Sequence, residues 1–203
     1  NSVALGYSAN AIGNQSLALG YNSEANQDAV ALGYNADANG NESIAIGKNA
    51  ISSFQNIAVG FAAQSSANNA IALGNNTTAT SQNSVAIGNN AGTQQNESIA
   101  VGADSDATGY RSLAVGYNAQ ATNNESSAFG SGSTASAASS LALGTGANAR
   151  GNSSVAIGVN AAARNQSSIA FGVGADSNGD NSIAIGVSAT IAAGRRNAIA
   201  IGN

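Results

Sequence analysis

The feature that most constrains this chain of 203 residues is a tetrapeptide, apolar-Ala-apolar-Gly, that recurs from end to end. It first stands at Val3-Ala4-Leu5-Gly6 and last at Ile199-Ala200-Ile201-Gly202. Of the 14 intervals between the 15 marker glycines, 11 are 14 residues long, two are 13 and the last is 16. A fixed short period is the signature of a solenoid, in which each repeat packs only against its neighbours. We therefore predict an all-β fold, one array of about 15 coils over residues 1–203.

Each coil reads as two strands joined by turns, when positions are counted from the marker glycine as zero. Position −2 is Ala in every coil, and positions −3 and −1 carry large apolar residues, with Ser127 the one exception. Alternation of this kind predicts a strand. Positions +3 and +5 are small, except Ile191, and +4 and +6 are mostly polar, which predicts a second, shorter strand. Turns are expected at two places in each coil. One is the glycine at zero, and the other is the Gly or Asn six or seven residues before each marker, where Asn tolerates a left-handed backbone. Successive coils are expected to stack in parallel.

The size of the side chains predicts an oligomer. A roll that closes within 14 residues leaves a thin interior that fits Ala and Ser, so the large residues at −3 and −1 must point outward. Because soluble proteins rarely expose so long an apolar stripe, we expect self-association, with three rolls around one axis a natural closed arrangement. The alternative is a wider roll with Val and Ile inside and Ala outside. The residues assigned to the trimer interface are Val3, Leu5, Leu17, Leu19, Ile44, Ile46, Val85, Ile87, Ile99, Val101, Val155, Ile157, Ile183 and Ile185.

Composition argues against several classes of function. The chain has no Cys or His and only six Lys and Arg residues, with a net charge of −4. Disulfides, thiolate metal sites and phosphate-neutralising patches are therefore not expected, nor is a nucleic-acid partner. General acid–base catalysis needs convergent titratable groups in a pocket, which a uniform roll does not offer. We expect no enzyme activity, no cofactor and no metal site, and we read the carboxylates at position −5 (Asp28, Glu42, Glu97 and Glu125) as solvated surface charge.

The repeat resembles a known family. Asn83-Ser84-Val85-Ala86-Ile87-Gly88, with small residues downstream as in Ala147-Asn148-Ala149-Arg150-Gly151, is similar to the YadA-like head repeat of trimeric autotransporter adhesins, which use type V secretion. The resemblance covers all 15 copies. It implies a left-handed parallel β-roll, assembled side by side as a homotrimer and projected from the bacterial outer membrane on a coiled-coil stalk. No neck, stalk or anchor pattern stands in the sequence, so we expect a head segment of a longer protein, whose membrane contact would come only through an anchor outside it.

The same resemblance implies an adhesive function at the bacterial cell surface. The expected partners are extracellular-matrix proteins, host cells, other bacteria or abiotic surfaces. An alternative is a structural spacer that holds a separate binding tip away from the cell. An ice- or crystal-binding solenoid is less favoured, because only Thr78 and Thr80 show the Thr-x-Thr pattern such a surface needs.

Two features could bear on recognition. Position +1 is aromatic in five coils, and the first three of these coils are consecutive, so their rings are expected to stack as a ladder. Exposed Tyr is favoured in recognition surfaces, but the rings could instead cover a corner of the roll or seal the trimer seam. The candidate partner-binding residues are Tyr7, Tyr21, Tyr34, Phe61 and Tyr117. The second feature, Gly194-Arg195-Arg196 in the 16-residue interval, predicts a bulged turn or the approach to a neck.

Overall fold

The computed structural model describes residues 1–202, which form two compact units, Asn1–Ala103 (unit 1) and the residues from Asp104 onward (unit 2). Every helix or strand element within residues 1–202 is a β-strand, and the 29 strands alternate between three and two residues in length. This confirms the predicted all-β solenoid with one long and one short strand per coil.

In unit 1 the long strands form one parallel sheet and the short strands form another. The long strands are β1 Val3–Leu5, β3 Leu17–Leu19, β5 Val30–Leu32, β7 Ile44–Ile46, β9 Ile57–Val59, β11 Ile71–Leu73, β13 Val85–Ile87 and β15 Ile99–Val101. The short strands are β2 Asn10–Ala11, β4 Glu24–Ala25, β6 Asp37–Ala38, β8 Ile51–Ser52, β10 Gln64–Ser65, β12 Thr78–Ala79 and β14 Gly92–Thr93.

Unit 2 has the same construction. Its long strands are β17 Leu113–Val115, β19 Ser127–Phe129, β21 Leu141–Leu143, β23 Val155–Ile157, β25 Ile169–Phe171, β27 Ile183–Ile185 and β29 Ile199–Ile201. Its short strands are β16 Asp106–Ala107, β18 Gln120–Ala121, β20 Thr134–Ala135, β22 Asn148–Ala149, β24 Ala162–Ala163, β26 Asp176–Ser177 and β28 Thr190–Ile191.

The register places like positions of successive coils beside one another. Within unit 1, for example, Ala86 pairs with Ala100, both at position −2. The 13-residue coils keep this register, since Leu17 pairs with Val30 at position −3 across the shortened interval. Each position of the coil therefore becomes a row of side chains that runs along the unit.

The interior of each unit is filled by alanine. In unit 1, Ala72 and Ala86 from position −2 form a buried cluster with Ala91 from position +3 and Ala79 from +5. In unit 2, Ala184 packs in the same way with Ala189 and with Ile191, the one large side chain at position +5. The thin interior is thus confirmed, and the wider roll with Val and Ile inside is wrong, because the Ala at position −2 points inward while the large side chains at −3 and −1 of the same strand point outward.

The first corner of the coil is the marker glycine. Gly6 has φ of +141°, a conformation that L side chains rarely adopt. A Cβ on Gly6 would also collide with the carbonyl oxygen of Gly20 in the next coil. The glycine is therefore required both for its backbone angle and for the close approach of successive coils.

The second corner differs from the sequence expectation. The left-handed residue is not the Gly or Asn at −7 or −6 but the residue at position −5, as at Gln15 and Glu42, with φ of 57° and 58°. Gly13, at −7, is instead needed for space, since a Cβ there would collide with the backbone of Gln27. The buried Ser that recurs at position −4 closes this corner, as where Ser43 Oγ donates to the Gly40 carbonyl at 2.7 Å.

Candidate functional site

The residues assigned to the trimer interface all lie on the outer side of the long strands. In this single chain none of the 14 is fully buried, and Ile99 at 38% and Ile185 at 39% exposure are examples from the two units. We call the outward rows at positions −3 and −1 the apolar face. Because a surface of this kind is costly to leave in water, the geometry fits the predicted interface without testing it.

The aromatic residues at position +1 form the expected ladder. The rings of Tyr7 and Tyr21 stack with centroids 5.3 Å apart and an interplanar angle of 13°, and those of Tyr21 and Tyr34 with centroids 5.1 Å apart at 8°. Stacking of this kind is worth about 0.5–1.5 kcal/mol per pair beyond the buried area. The stacking prediction is confirmed, while a role of these rings in binding stays a prediction.

Lys48 extends this ladder, and the sequence reasoning missed it. Its Nζ lies 5.6 Å from the centroid of Tyr34 and 5.9 Å from that of Phe61, so the cation bridges two rings in flanking coils. Reading down position +1 rather than counting only aromatic residues would have found it. Tyr117, by contrast, is exposed and lies in unit 2, where no adjoining coil places a ring at position +1.

A second ladder runs beside the first at position +2. Asn22 Nδ2 donates to Asn35 Oδ1 at 3.1 Å, and Asn35 Nδ2 donates to Asn49 Oδ1 at 3.4 Å. All three residues have left-handed backbones, with φ between 51° and 59°, which Asn tolerates well. Ser8 precedes this row and Ala62 follows it, so the run of amides ends at both sides. We call Asn22, Asn35 and Asn49 the amide wall.

A polar groove separates the amide wall from the short strands. Its volume is about 490 Å³. The second wall comes from position +4 and contains Glu24, Asp37 and Ile51, which are neighbours in register on β4, β6 and β8. We call these three residues the carboxylate wall. The full lining is Ser8, Asn10, Asn22, Ser23, Glu24, Asn35, Asp37, Asn49 and Ile51. The sequence reasoning did not find this groove.

The charges in the groove are not balanced by a cation. Glu24 and Asp37 stand side by side in register, and the lining contains no Lys or Arg. Asp37 Oδ2 accepts a hydrogen bond from Asn39 Nδ2 at 3.3 Å, whereas its Oδ1 is buried with no partner within residues 1–202. Burial raises the pKa of Asp37, and the hydrogen bond from Asn39 opposes that shift.

Unit 2 has a short-strand carboxylate, Asp176, that is paired with a cation. Arg164 donates from Nε to Asp176 Oδ1 at 2.8 Å and from its terminal nitrogen to Oδ2 at 3.0 Å. This bidentate contact raises the pKa of Arg164. Near the end of the unit, the two additional residues of the 16-residue coil form an exposed turn that includes Gly194, and Arg196 there pairs with Asp180 at 3.2 Å. The geometry fits the bulged turn.

No three His, Cys, Asp or Glu side chains of residues 1–202 come together as a candidate metal site. Within the same residues, no helix is long and apolar enough to cross a membrane.

Comparison with known proteins identifies the repeat. The family model described as the YadA head domain repeat (2 copies) matches seven segments of the chain. These are residues 1–23, 25–50, 57–77, 79–105, 107–133, 135–161 and 163–189. The chain belongs to the YadA head-repeat family of trimeric autotransporter adhesins. This family consists of adhesin heads, a non-enzymatic kind of protein found on outer-membrane-anchored surface adhesins.

The similarity to a solved structure is distant. A solved structure described as the collagen-binding domain of Yersinia adhesin YadA is 22% identical, covering 97% of this chain and 72% of that one, with a TM-score of 0.30. No curated protein matches the chain.

The two longest unmatched stretches of this YadA-like head fall in two of its three irregular coils. Residues 51–56 lie in the second 13-residue coil, where Asn56 replaces Ser at position −4. Asn56 is fully buried, donates to the Ser65 carbonyl at 3.1 Å and accepts from the Ala70 amide at 2.8 Å. Residues 190–203 contain most of the 16-residue interval. The groove draws on the shortened coils of unit 1. Five of its nine lining residues, Asn22, Ser23, Glu24, Asn49 and Ile51, belong to the two 13-residue coils, and Glu24 and Ile51 fall outside the matched segments.

Proposed function

We propose that this YadA-like head works as a homotrimer on the bacterial cell surface, where it attaches the cell to extracellular-matrix proteins, host cells, other bacteria or abiotic surfaces. The main support for this proposal is the apolar face. Each large side chain gains about 1.5–3 kcal/mol when fully buried, and these rows repeat in every coil of both units. Three chains that bury the face together also present three copies of every outer row, which raises avidity without a strong single contact.

Sedimentation of the 203-residue chain tests the assembly. We expect a species of three times the 19.6 kDa chain mass, with the circular dichroism of a folded β-protein. A well-dispersed monomer with the same β content would contradict the trimer.

Attachment is tested separately on the trimer. The chain is fused to a trimeric coiled coil and applied to immobilised matrix proteins, cultured cells, bacteria and bare polystyrene, with the coiled coil alone as control. We expect attachment to at least one of these surfaces. A folded trimer that attaches to none of them would overturn the adhesive function and favour the spacer.

A further inference from the structure

The polar groove of unit 1 is not needed to build the coil. The repeat fixes positions −3 to 0, +3 and +5, whereas the groove is made by side chains at +2 and +4, which vary from coil to coil. Its volume of about 490 Å³ lies within the usual range of small-ligand sites. It also opens on the short-strand side, across the interior from the apolar face, so burying the apolar face does not in itself cover it.

The amide wall keeps hydrogen-bonding capacity for a ligand. A side-chain amide has two N–H donors and an oxygen with two lone pairs. Each bond of the ladder uses one donor and one lone pair, so Asn22 and Asn35 each keep a second N–H. Because the ladder fixes the amides before any ligand arrives, less conformational entropy is lost on binding.

The carboxylate wall selects the charge of the ligand. Glu24 and Asp37 present acceptors and negative charge, and no cation lines the groove, so an anionic ligand is repelled. Ile51 adds an apolar patch beside them. The spare amide N–H groups need an acceptor, which an ammonium group does not have, whereas the carboxylates need a donor. A ligand that suits both walls therefore offers hydroxyl groups that both donate and accept, and has C–H surface to lay on Ile51. A neutral sugar ring has these properties.

The repeat distance favours a chain of sugars. The lining residues of the groove repeat once per coil, and the coils stack in register at a spacing of about 4.7–4.9 Å, that of neighbouring parallel strands. A six-membered sugar ring in an extended glycan advances by close to this distance. An extended peptide advances about 3.3 Å per residue and turns alternate groups to opposite sides, so it does not match. The stacked faces of Tyr21 and Tyr34 are already occupied, so the binding must rest on hydrogen bonds rather than on ring stacking.

We infer that the polar groove binds a neutral, extended hexose chain, with one sugar ring per coil against the amide and carboxylate walls. The inference names a ligand class for the proposed attachment function and rests on it. Glycan attachment at this groove would be separate from contacts that the head makes with proteins through other rows.

Calorimetry of the 203-residue chain with cellohexaose, maltohexaose, mannohexaose and chitohexaose tests this, with a heparin hexasaccharide and hexalysine as charged controls. We expect binding of at least one neutral hexasaccharide and none of the heparin fragment. Asn35→Ala should lower the affinity about fivefold to tenfold, as for the loss of one hydrogen bond. Alanine is accommodated in this left-handed position at Ala62, which has φ of 52°, so the variant should fold.

Asn118→Ala is the matched control, because Asn118 occupies position +2 in unit 2 with the same φ of 51° as Asn35 but lies outside the groove. Equal affinities of the two variants would overturn the inference. So would a chain that binds no neutral hexasaccharide, or one that binds only hexalysine and loses it in Glu24→Gln. A head that attaches to matrix proteins yet fails the glycan test leaves the proposed function standing.

Discussion

The two units share one backbone and differ in what they display. At position +1, unit 1 carries the ladder that runs from Tyr7 to Phe61, whereas the last regular coils of unit 2 carry valine. At position +2, unit 1 carries the amide wall, whereas unit 2 has glycine at Gly132, Gly146 and Gly174. The φ angles at this position are 51–59° in the amide wall and 65–66° in these glycines.

This difference shows which positions the coil leaves free. The left-handed backbone at +2 is common to both units, but Asn, Ser, Gly and Ala all satisfy it. Its side chain can therefore change without disturbing the fold. The short strands differ in the same way, with uncompensated carboxylates beside the groove in unit 1 and the Arg164–Asp176 pair in unit 2. Recognition is thus expected to follow the variable rows, and stability the constant ones.

The strongest test of the shared interior is overpacking. Ala100 in unit 1 and Ala142 in unit 2 are both fully buried at position −2. Substituting either by Leu should lower the free energy of unfolding by about 3 kcal/mol, because the thin interior has no space for the added carbons. Ala162→Leu, at the outward position +4 of β24, is the control and should be near neutral. Chemical denaturation measures all three. A silent Ala100→Leu would show that the interior can widen.

The apolar face should also behave alike in both units. Ile99→Asp and Ile157→Asp each place a charge where we propose that the trimer closes, and each removes about 2 kcal/mol of burial per chain in addition to the cost of the buried charge. Both should shift the sedimenting species from trimer to monomer. Gln64→Asp, at an exposed position of the short strand β10, should leave the trimer intact. If Ile157→Asp alone disrupts assembly, unit 1 does not contribute to the interface.

Sequence reasoning predicted the constant rows well and the variable rows poorly. The alternation around Ala100 determines a strand and its two faces, because a coil of 14 residues admits only small side chains inside. The stacking of Tyr7, Tyr21 and Tyr34 followed from their identical positions. The amide wall was missed because a hydrogen bond between Asn22 and Asn35 depends on side-chain orientation, and the groove depends on two rows at once. The left-handed residue at −5 was also missed, since Gln15 and Glu42 are not residue types that favour that conformation.

The aromatic ladder gives a smaller difference between the units. Tyr21 stacks on both sides, so Tyr21→Ala should cost about 1 kcal/mol more than Tyr117→Ala, whose ring has no aromatic neighbour at its position in the adjoining coils. Thermal unfolding of the two variants measures the difference. Equal costs would mean that the stacked rings contribute only their own burial. In that case the stacking geometry itself would add nothing to stability.

The smallest effects should have opposite signs for a carboxylate that is partly buried without a cation and for one in a salt bridge. Asp37→Asn in unit 1 removes a carboxylate whose pKa is raised by burial, so at neutral pH it should stabilise the fold slightly. A raised pKa means that the folded state holds the proton more tightly than the unfolded state. The charged carboxylate therefore lowers the free energy of unfolding by its full amount when the pH is above the pKa of the folded state. This loss of stability disappears as the pH falls below the ordinary pKa of about 3.9.

Asp176→Asn in unit 2 is the counterpart. It removes the partner of Arg164 in an exposed pair, so it should destabilise slightly at neutral pH, by no more than about 0.5 kcal/mol. Asp106→Asn in unit 2 is the parallel case for Asp37→Asn, because burial also raises the pKa of Asp106 at the same position of its coil, so it should change stability little and in the same stabilising direction. Urea denaturation at pH 7 and at pH 3.5 separates these variants. Stabilisation by Asp37→Asn that persists unchanged at pH 3.5 would show that its cause is not the carboxylate charge.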